Sequence, residues 1–508
     1  MDKFEIGLFL LISFFAIVGM STYFLVRRSG RRFIIAGKSL PFFIIGTMLF
    51  AQALDANSTL GNTGAVHSSG FWWGFQFPLG LALCLVITGL WFAKPLNRMN
   101  LMTLPDYYYR RYGSVTEVIV SVLMTVSFII LVAGNLAGCA WIIHLIFGIG
   151  YVPSLIIISL IIMSYTLSGG LFSCAATDIV QLYPALVAFV VGTIWLLVDG
   201  GGWSNYAAAI PDGYWGMSGL TSFDDGALVV WAGILALAIG DIVALDFMER
   251  IFSAKTPETA QRGCYFAAGA TLTVGLCASF MGLMAFTLIP GGVEDPRDVI
   301  VIIATASLPF LLGLFVLGGI LGAGLSTANG GSLGISAVFA RNIMQRNIFL
   351  PRIRRQAKLE GKDFNEVMEA TDWHSADHKL LWYARIMLIP TFAAAITLAY
   401  YRPEPGMLLV LAFDVVFAGC VAPLILGIYW KKANTYGALV AVIVGSVLRI
   451  VLYYTIPAAW AGLDTLIPPA VSFVLMVIVS LATQTQSPPM HEVNYETPGE
   501  AEVARALR

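Results

Sequence analysis

The sequence predicts an all-α membrane protein with 13 transmembrane helices, and three observations lead there. Of its 508 residues, 58% are hydrophobic and only 12% are charged, about half the charged share of a soluble globular chain. The mean hydropathy is +0.82. The apolar residues are gathered in runs of about 20 or more, the length that crosses a bilayer as a helix. These runs fall near 4–26, 41–66, 72–94, 115–146, 151–169, 178–199, 227–249, 262–290, 306–342, 380–401, 407–429, 435–456 and 463–483.

The first run is read as a genuine span, because its basic cluster follows it, whereas a signal peptide carries its charge in front, and no A-x-A-like site closes it. An odd number of spans puts the termini on opposite sides. The loops with Arg27, Arg28, Arg31, Arg32 and Lys38, with Lys94, Arg98, Arg110 and Arg111, and with Arg250, Lys255 and Arg262 share one side. The longest loop, with Arg346, Arg352, Arg354, Arg355, Lys358 and Lys362, joins them. Roughly 25 of the 29 Lys and Arg lie there, which makes that side cytoplasmic and places the N-terminus outside. Asp212, Asp224, Asp225, Glu294 and Asp295 fall on the outer side. Residues 1–483 therefore read as one membrane domain, and 484–508, polar and with Pro488 and Pro489, as a flexible cytoplasmic tail too short to fold alone.

Composition also excludes. A formal net charge of −1 gives no support to a nucleic-acid partner, and the lipid bilayer is the partner it does imply. Cys84, Cys139, Cys174, Cys264, Cys277 and Cys420 stand singly in apolar stretches and read as packing residues. His374 and His378 are spaced i,i+4 but lack the third ligand a zinc site needs, and His67 and His144 read as structural. With no nucleophile–base pair, metal cluster or phosphate loop in view, no enzyme and no cofactor is expected.

Two spans are interrupted. The second contains Ala51-Gln-Ala-Leu-Asp-Ala-Asn-Ser-Thr-Leu-Gly-Asn-Thr-Gly64, small and polar residues at membrane depth, where freed backbone groups line a cavity or bind a ligand. Small-residue helix packing is the competing explanation, but Asp55 weighs against it, since an intramembrane carboxylate costs several kcal/mol unless used or paired. The seventh span breaks similarly at Ala238-Ile-Gly-Asp241. Interrupted helices five spans apart are the pattern of an inverted-repeat secondary transporter with its sites at the breaks. In the ninth span, Ser326 and Thr327 put two hydroxyls on one patch with Ala323 three residues earlier. They either serve a small hard cation or bond back to their own helix.

At these residues the sequence resembles the sodium:solute symporter family, which includes proline, sialic acid, pantothenate and sugar symporters. Three motifs carry the resemblance: Ser168-Gly-Gly-Leu-Phe-Ser-Cys-Ala-Ala-Thr-Asp-Ile-Val-Gln181; Asp246-Phe-Met-Glu-Arg-Ile-Phe-Ser-Ala-Lys255 with Ala260-Gln-Arg-Gly263; and Gly324-Leu-Ser-Thr-Ala-Asn329 leading to Ala340-Arg-Asn-Ile343. The resemblance covers essentially the whole chain. It implies a multi-pass protein of the cell's inner (plasma) membrane, with a leucine-transporter-type fold whose inverted repeats are spans two to six and seven to eleven. It also implies sodium-driven import of a small organic solute by alternating access. The family's sodium site, carried onto matching positions, becomes the carbonyls of Ala51, Leu54 and Ala323 and the side chains of Ser326 and Thr327. Three positions depart from the pattern: Leu245 replaces a glutamine, Glu249-Arg250 replaces Gln-Arg, and Asn329 replaces an acid.

The solute is left open. In more distant amine transporters of the same fold a carboxylate at the place of Asp55 holds an ammonium, which makes an amine or amino-acid-like solute attractive; Asp241 adds a second carboxylate. Asp55 also admits a second cation site, a proton-linked role, or a pair with a basic group. Phe71, Trp72, Trp73 and Phe75 offer cation–π faces or form an interfacial aromatic belt. Asn57, Ser58 and Asn62 suit a neutral or anionic solute equally well. Asp178 either attracts exiting sodium or caps a helix beside Thr177. A solute sensor without flux and a proton-coupled carrier of the same fold remain alternatives, and nothing in the sequence sets an oligomeric state.

Overall fold

The computed structural model describes residues 2–26, 29–361 and 373–489. Arg27, Arg28, Lys362 and residues 490–508 of the expected tail lie outside the described residues, as do the side chains of Arg354 and His374. Ten of the described helices are long and apolar enough to cross a membrane, and counting two bent pairs as spans makes 12. In chain order the helices used below are α1 (Lys3–Val26), α2 (Phe42–Ala53), α3 (Asn62–Ser69), α4 (Phe71–Arg98), α5 (Pro105–Tyr112), α6 (Ser114–Phe147), α7 (Tyr151–Gly169), α8 (Leu171–Asp199) and the bent pair α9 (Ala227–Val243) and α10 (Leu245–Ser253). There follow α11 (Pro257–Leu288), α12 (Phe310–Arg352), α13 (Asp377–Tyr401), the bent pair α14 (Pro405–Gly419) and α15 (Val421–Tyr429), α16 (Thr435–Thr455) and α17 (Leu463–Ala482). The second expected span is not among the 12, because it divides into α2 and α3, each too short to cross alone. Among the described residues there is no β-strand; a single parallel bridge joins Leu40 to Ala254, tying the entry to α2 to the exit from α10.

Side-chain periodicity decides which faces meet. α1 buries Phe4, Leu8, Ile12, Phe15 and Gly19, a stripe at spacings of three and four, against α7, α8 and α12, and leaves Phe9, Leu10, Phe14 and Ile17 exposed. α12 is the opposite case, buried at every position from Val316 to Val338 and wrapped by α6, α8 and α13. Its glycines and alanines allow that close approach on all sides. This helix carries Ser326 and Thr327 into the centre.

The bend between α14 and α15 is 49° and was not expected, since 407–429 reads as one apolar run. It sits at Cys420, three residues before Pro423, whose ring cannot follow an undisturbed helical turn. The short helix α5 bonds to carbonyls at and after that bend. Tyr108 Oη donates to Cys420 O at 2.7 Å, Tyr112 Oη to Pro423 O at 2.7 Å, and Arg111 Nε to Gly427 O at 3.1 Å. A Cβ at Gly427 would stand 2.3 Å from both Tyr107 and Tyr112 Oη, so the contact needs glycine.

The other side of α5 is ionic. Asp106 meets Arg346 Nη1 at 2.8 Å, Glu117 meets the same nitrogen at 2.6 Å, and Asn342 Nδ2 donates to both carboxylates. Burial alone would raise the Asp106 carboxyl, but Arg346, Arg341 and Arg110 outweigh it and hold it well below the usual range. α5 thus fastens the end of α12 to the α14–α15 bend. A second buried ionic group, Arg449 with Asp414 and Asp464, joins α16, α14 and α17, with Thr465 Oγ1 donating to Asp414 at 3.0 Å.

Candidate ion and solute site

The chain leaves helical geometry at Leu54 (φ −98°, ψ 34°) and resumes as a π-turn, Asn57–Gly61, leading into α3. Asp55 caps the new start. Its Oδ1 accepts from Ser58 N at 2.7 Å, and its Oδ2 accepts from the amides of Asn57 and, at 3.0 Å, Asn135. Asn135 also accepts from Ala56 N at 3.1 Å, so one amide of α6 holds both the carboxylate and the freed backbone. Ser58 Oγ turns back to Ala53 O at 3.1 Å, and the buried acceptors Asn57 Oδ1 and Gln52 Oε1 have no partner.

Three of the five expected ion ligands are brought together, the Thr327 hydroxyl with the carbonyls of Ala51 and Ala323. Thr327 Oγ1 bonds back to Ala323 O of its own helix at 3.1 Å, as the competing reading expected, and also donates across to Ala51 O of α2 at 3.3 Å. Ser326 Oγ accepts from Gln52 Nε2 at 3.0 Å. Leu54, one residue before the cap, is 1% exposed. The arrangement is a buried group of neutral oxygens, the donor type a small hard cation takes when stripped of water.

At the second break α9 passes through a π-turn, Ala236–Gly240, and a 3₁₀ turn, Asp241–Val243, before Ala244 becomes extended (φ −65°, ψ 129°) and α10 starts at a 46° bend. The π-turn packs against α4 and α14. Asp241 is fully buried, and neither carboxylate oxygen has a hydrogen-bond partner; Asp55 and Asp246 are the charged groups that act on it. The two break carboxylates therefore differ: Asp55 is saturated, Asp241 is not.

Asp178 does not cap a helix. α8 starts at Leu171, after the left-handed Gly170 (φ 51°), so Asp178 sits inside it, fully buried, with both oxygens lacking a partner in hydrogen-bonding geometry although the Ser326 hydroxyl and Arg250 lie close by. Asn62 bonds to α11, donating to Gly275 O and accepting from Ser279, which makes it a packing amide. Trp72 and Trp73 donate their indole N–H groups to Gly216 O and Asp225 O, in the segment between α8 and α9. All six cysteines are free.

Residues not singled out from the sequence complete the site. Asn135 is a lone amide in a 34-residue apolar helix, and that isolation is a signal that could have found it. Gln52 has no such signal, since it sits among other polar residues of the interruption.

The comparisons with known proteins identify the family. The model of the sodium:solute symporter family matches residues 33–360 and 364–445, and the chain belongs to that family. It is 25% identical over 435 residues to the human high affinity choline transporter 1, covering 82% of this chain and 70% of that one. It is 26% identical over 502 residues to the sodium/pantothenate symporter of Escherichia coli strain K12, covering 94% and 96%. Among solved structures, a substrate-bound, outward-open sodium-coupled sialic acid symporter aligns with a TM-score of 0.78 at 16% identity, covering 95% of this chain and 98% of that one. The nucleobase-cation-symport transporter Mhp1 aligns with a TM-score of 0.56 at 14% identity, covering 93% and 98%. The fold is thus of the leucine-transporter type, and the class is transport, not catalysis.

Proposed function

We propose that the chain imports a small organic solute into the cell through its inner (plasma) membrane, driven by sodium and working by alternating access. In this reading 13 transmembrane helices place the N-terminus outside, and residues 41–199 and 227–429 form the two inverted repeats. Sodium takes the carbonyls of Ala51, Leu54 and Ala323 and the hydroxyls of Ser326 and Thr327. The observation that carries the reading is the Thr327 hydroxyl between Ala51 O and Ala323 O, since it sets three of the five ligands within bonding distance around a helix break. The lysine and arginine content of the loops on one side supports the orientation.

For the solute, an amine or amino-acid-like molecule fits best, with Asp241 as the group that faces its ammonium and Asn57 Oδ1 as a further acceptor. Asp55 and Ser58 act by shaping the break. The relatives named for choline support a cationic solute, and those named for pantothenate and glucose mark the range over which the family varies. A proton-coupled carrier is the second reading, favoured by the unpartnered carboxylates Asp178 and Asp241.

Uptake into proteoliposomes, across a panel of amines, amino acids, carboxylates and sugars, tests both readings. An inward sodium gradient is expected to drive accumulation of a cationic or zwitterionic solute. Accumulation driven by a pH gradient alone, with sodium without effect, contradicts sodium coupling and supports the second reading.

A further inference from the structure

Arg385, in the first half of α13, carries a charge that the described residues leave unanswered. Its Nε and Nη2 are enclosed, yet neither has a hydrogen-bond partner, and no carboxylate acts on it. The guanidinium lies instead between two rings, 5.8 Å from the centre of Tyr23 and 5.6 Å from that of Phe33. The acid at the start of α13, Asp377, is already used: its Oδ2 accepts from Gly30 N and its Oδ1 from Arg31 N, both at 3.1 Å. An aromatic face attracts a cation but gives its N–H groups no acceptor.

The surroundings say where the acceptor comes from. Trp382, Ile386 and Ile389 follow one another at spacings of four and three, so they share a face with Arg385, and all three are exposed. Tyr23 and Phe24, in the last turn of α1, are exposed as well, and α7 packs against both α1 and α13. Exposed apolar side chains on spanning helices meet lipid tails, and a half-buried arginine beside them is costly without an anion. Arg32, in the short helix Gly30–Ile35 that Asp377 holds, and Lys379 are exposed at the same inner edge. The local excess is positive, so the missing species is an anion. Phosphate matches the guanidinium fork, and the apolar face beside it suits a phosphate that carries acyl chains.

We infer that Arg385 binds the phosphate of an anionic phospholipid of the inner leaflet, whose acyl chains lie along Trp382, Ile386 and Ile389. Tyr23, 41% exposed at the end of its helix, turns aside to admit the headgroup. Phe33 on the other side is fully buried against Gly170, between α7 and α8, so the lipid fastens the segment that leads into α2. The inference rests on the membrane-spanning fold and the proposed orientation, and is independent of the sodium and solute readings.

The test titrates the delipidated full-length protein in detergent with dioleoyl phosphatidylglycerol, dioleoyl phosphatidylcholine, dioleoylglycerol and inorganic phosphate. Phosphatidylglycerol should bind saturably. Dioleoylglycerol, which has the same chains without phosphate, should bind at least about tenfold more weakly, and so should phosphatidylglycerol to Arg385→Gln. Arg385→Lys should fall between, because lysine keeps the charge and loses the fork. Phosphatidylcholine, which carries its own ammonium, should also bind more weakly. A packing role alone predicts no dependence on the headgroup. Should Arg385→Gln fail to fold, a photoactivatable phosphatidylglycerol on the unaltered protein decides, with crosslinks expected within 21–26 and 382–389. Even labelling of all the exposed helices, equal binding of the three lipids, or unchanged affinity in Arg385→Gln overturns the site. Displacement of phosphatidylglycerol by inorganic phosphate alone assigns the anion to solution and overturns the lipid.

Discussion

Asp55 and Asp241 each stand at one of the two breaks, yet their surroundings assign them different work. Asp55→Asn should cost stability, because an acceptor of backbone and side-chain N–H groups becomes half a donor; loss of a cap of this kind is worth about 0.5–2 kcal/mol. Its effect on sodium should come through the break beside Leu54. Asp241→Asn, which removes a carboxylate without hydrogen bonds, should leave the thermal midpoint nearly unchanged and lower affinity for a cationic solute by more than tenfold at saturating sodium. Isothermal binding of the solute to both variants distinguishes them; a larger loss of solute affinity in Asp55→Asn than in Asp241→Asn reverses the assignment. The sequence marked both carboxylates because each interrupts an apolar span. It left their difference open because the decisive partner, Asn135, lies 80 residues away on another helix.

The helix α5 lies in what reads as a charged loop, and its role is to hold α12 against the α14–α15 bend. Arg346→Met should cost about 3–5 kcal/mol by leaving Asp106 and Glu117 buried without their shared cation, read as a lowered thermal midpoint. Unchanged stability would mean that the joint is incidental. The Asp106 carboxyl is held below its unfolded value near 4, so its contribution is full above that value and is lost as pH falls through the depressed folded value. Asp106 should therefore stay ionised at pH 5, and Asp106→Asn should remove its contribution at neutral pH. α5 was hard to read because eight residues give little periodicity; its tyrosines bond to carbonyls more than 300 residues distant. Pro423 was a legible signal for the bend at Cys420, masked by the unbroken apolar run around it. The start of α8 was misread for a related reason: Gly169-Gly170 ends one helix and Leu171 starts the next at once, so Asp178 falls within the helix.

At the scale of the molecule, hydropathy placed most of the long apolar helices within about five residues, since lipid leaves the backbone few alternatives to helix. It began α8 at 178, where the helix starts at Leu171, and closed α12 at 342, where it runs to Arg352. The second span was legible as interrupted, but how its halves sit against α12 was not, because that contact joins residues 276 apart. The proposed orientation predicts that a cysteine replacing Asp224 reacts with a membrane-impermeant thiol reagent from outside, and one replacing Lys255 only from inside. The reverse pattern in right-side-out vesicles inverts the topology. The central claim is that sodium is held between the α2 break and α12, and tracer sodium binding to the unaltered protein and to Ser326→Ala with Thr327→Ala tests it most directly. The unaltered protein should bind sodium saturably with potassium unable to displace it, and the double variant should need at least tenfold more sodium, a loss of about 1.4 kcal/mol or more; equal affinity in the two would contradict the site.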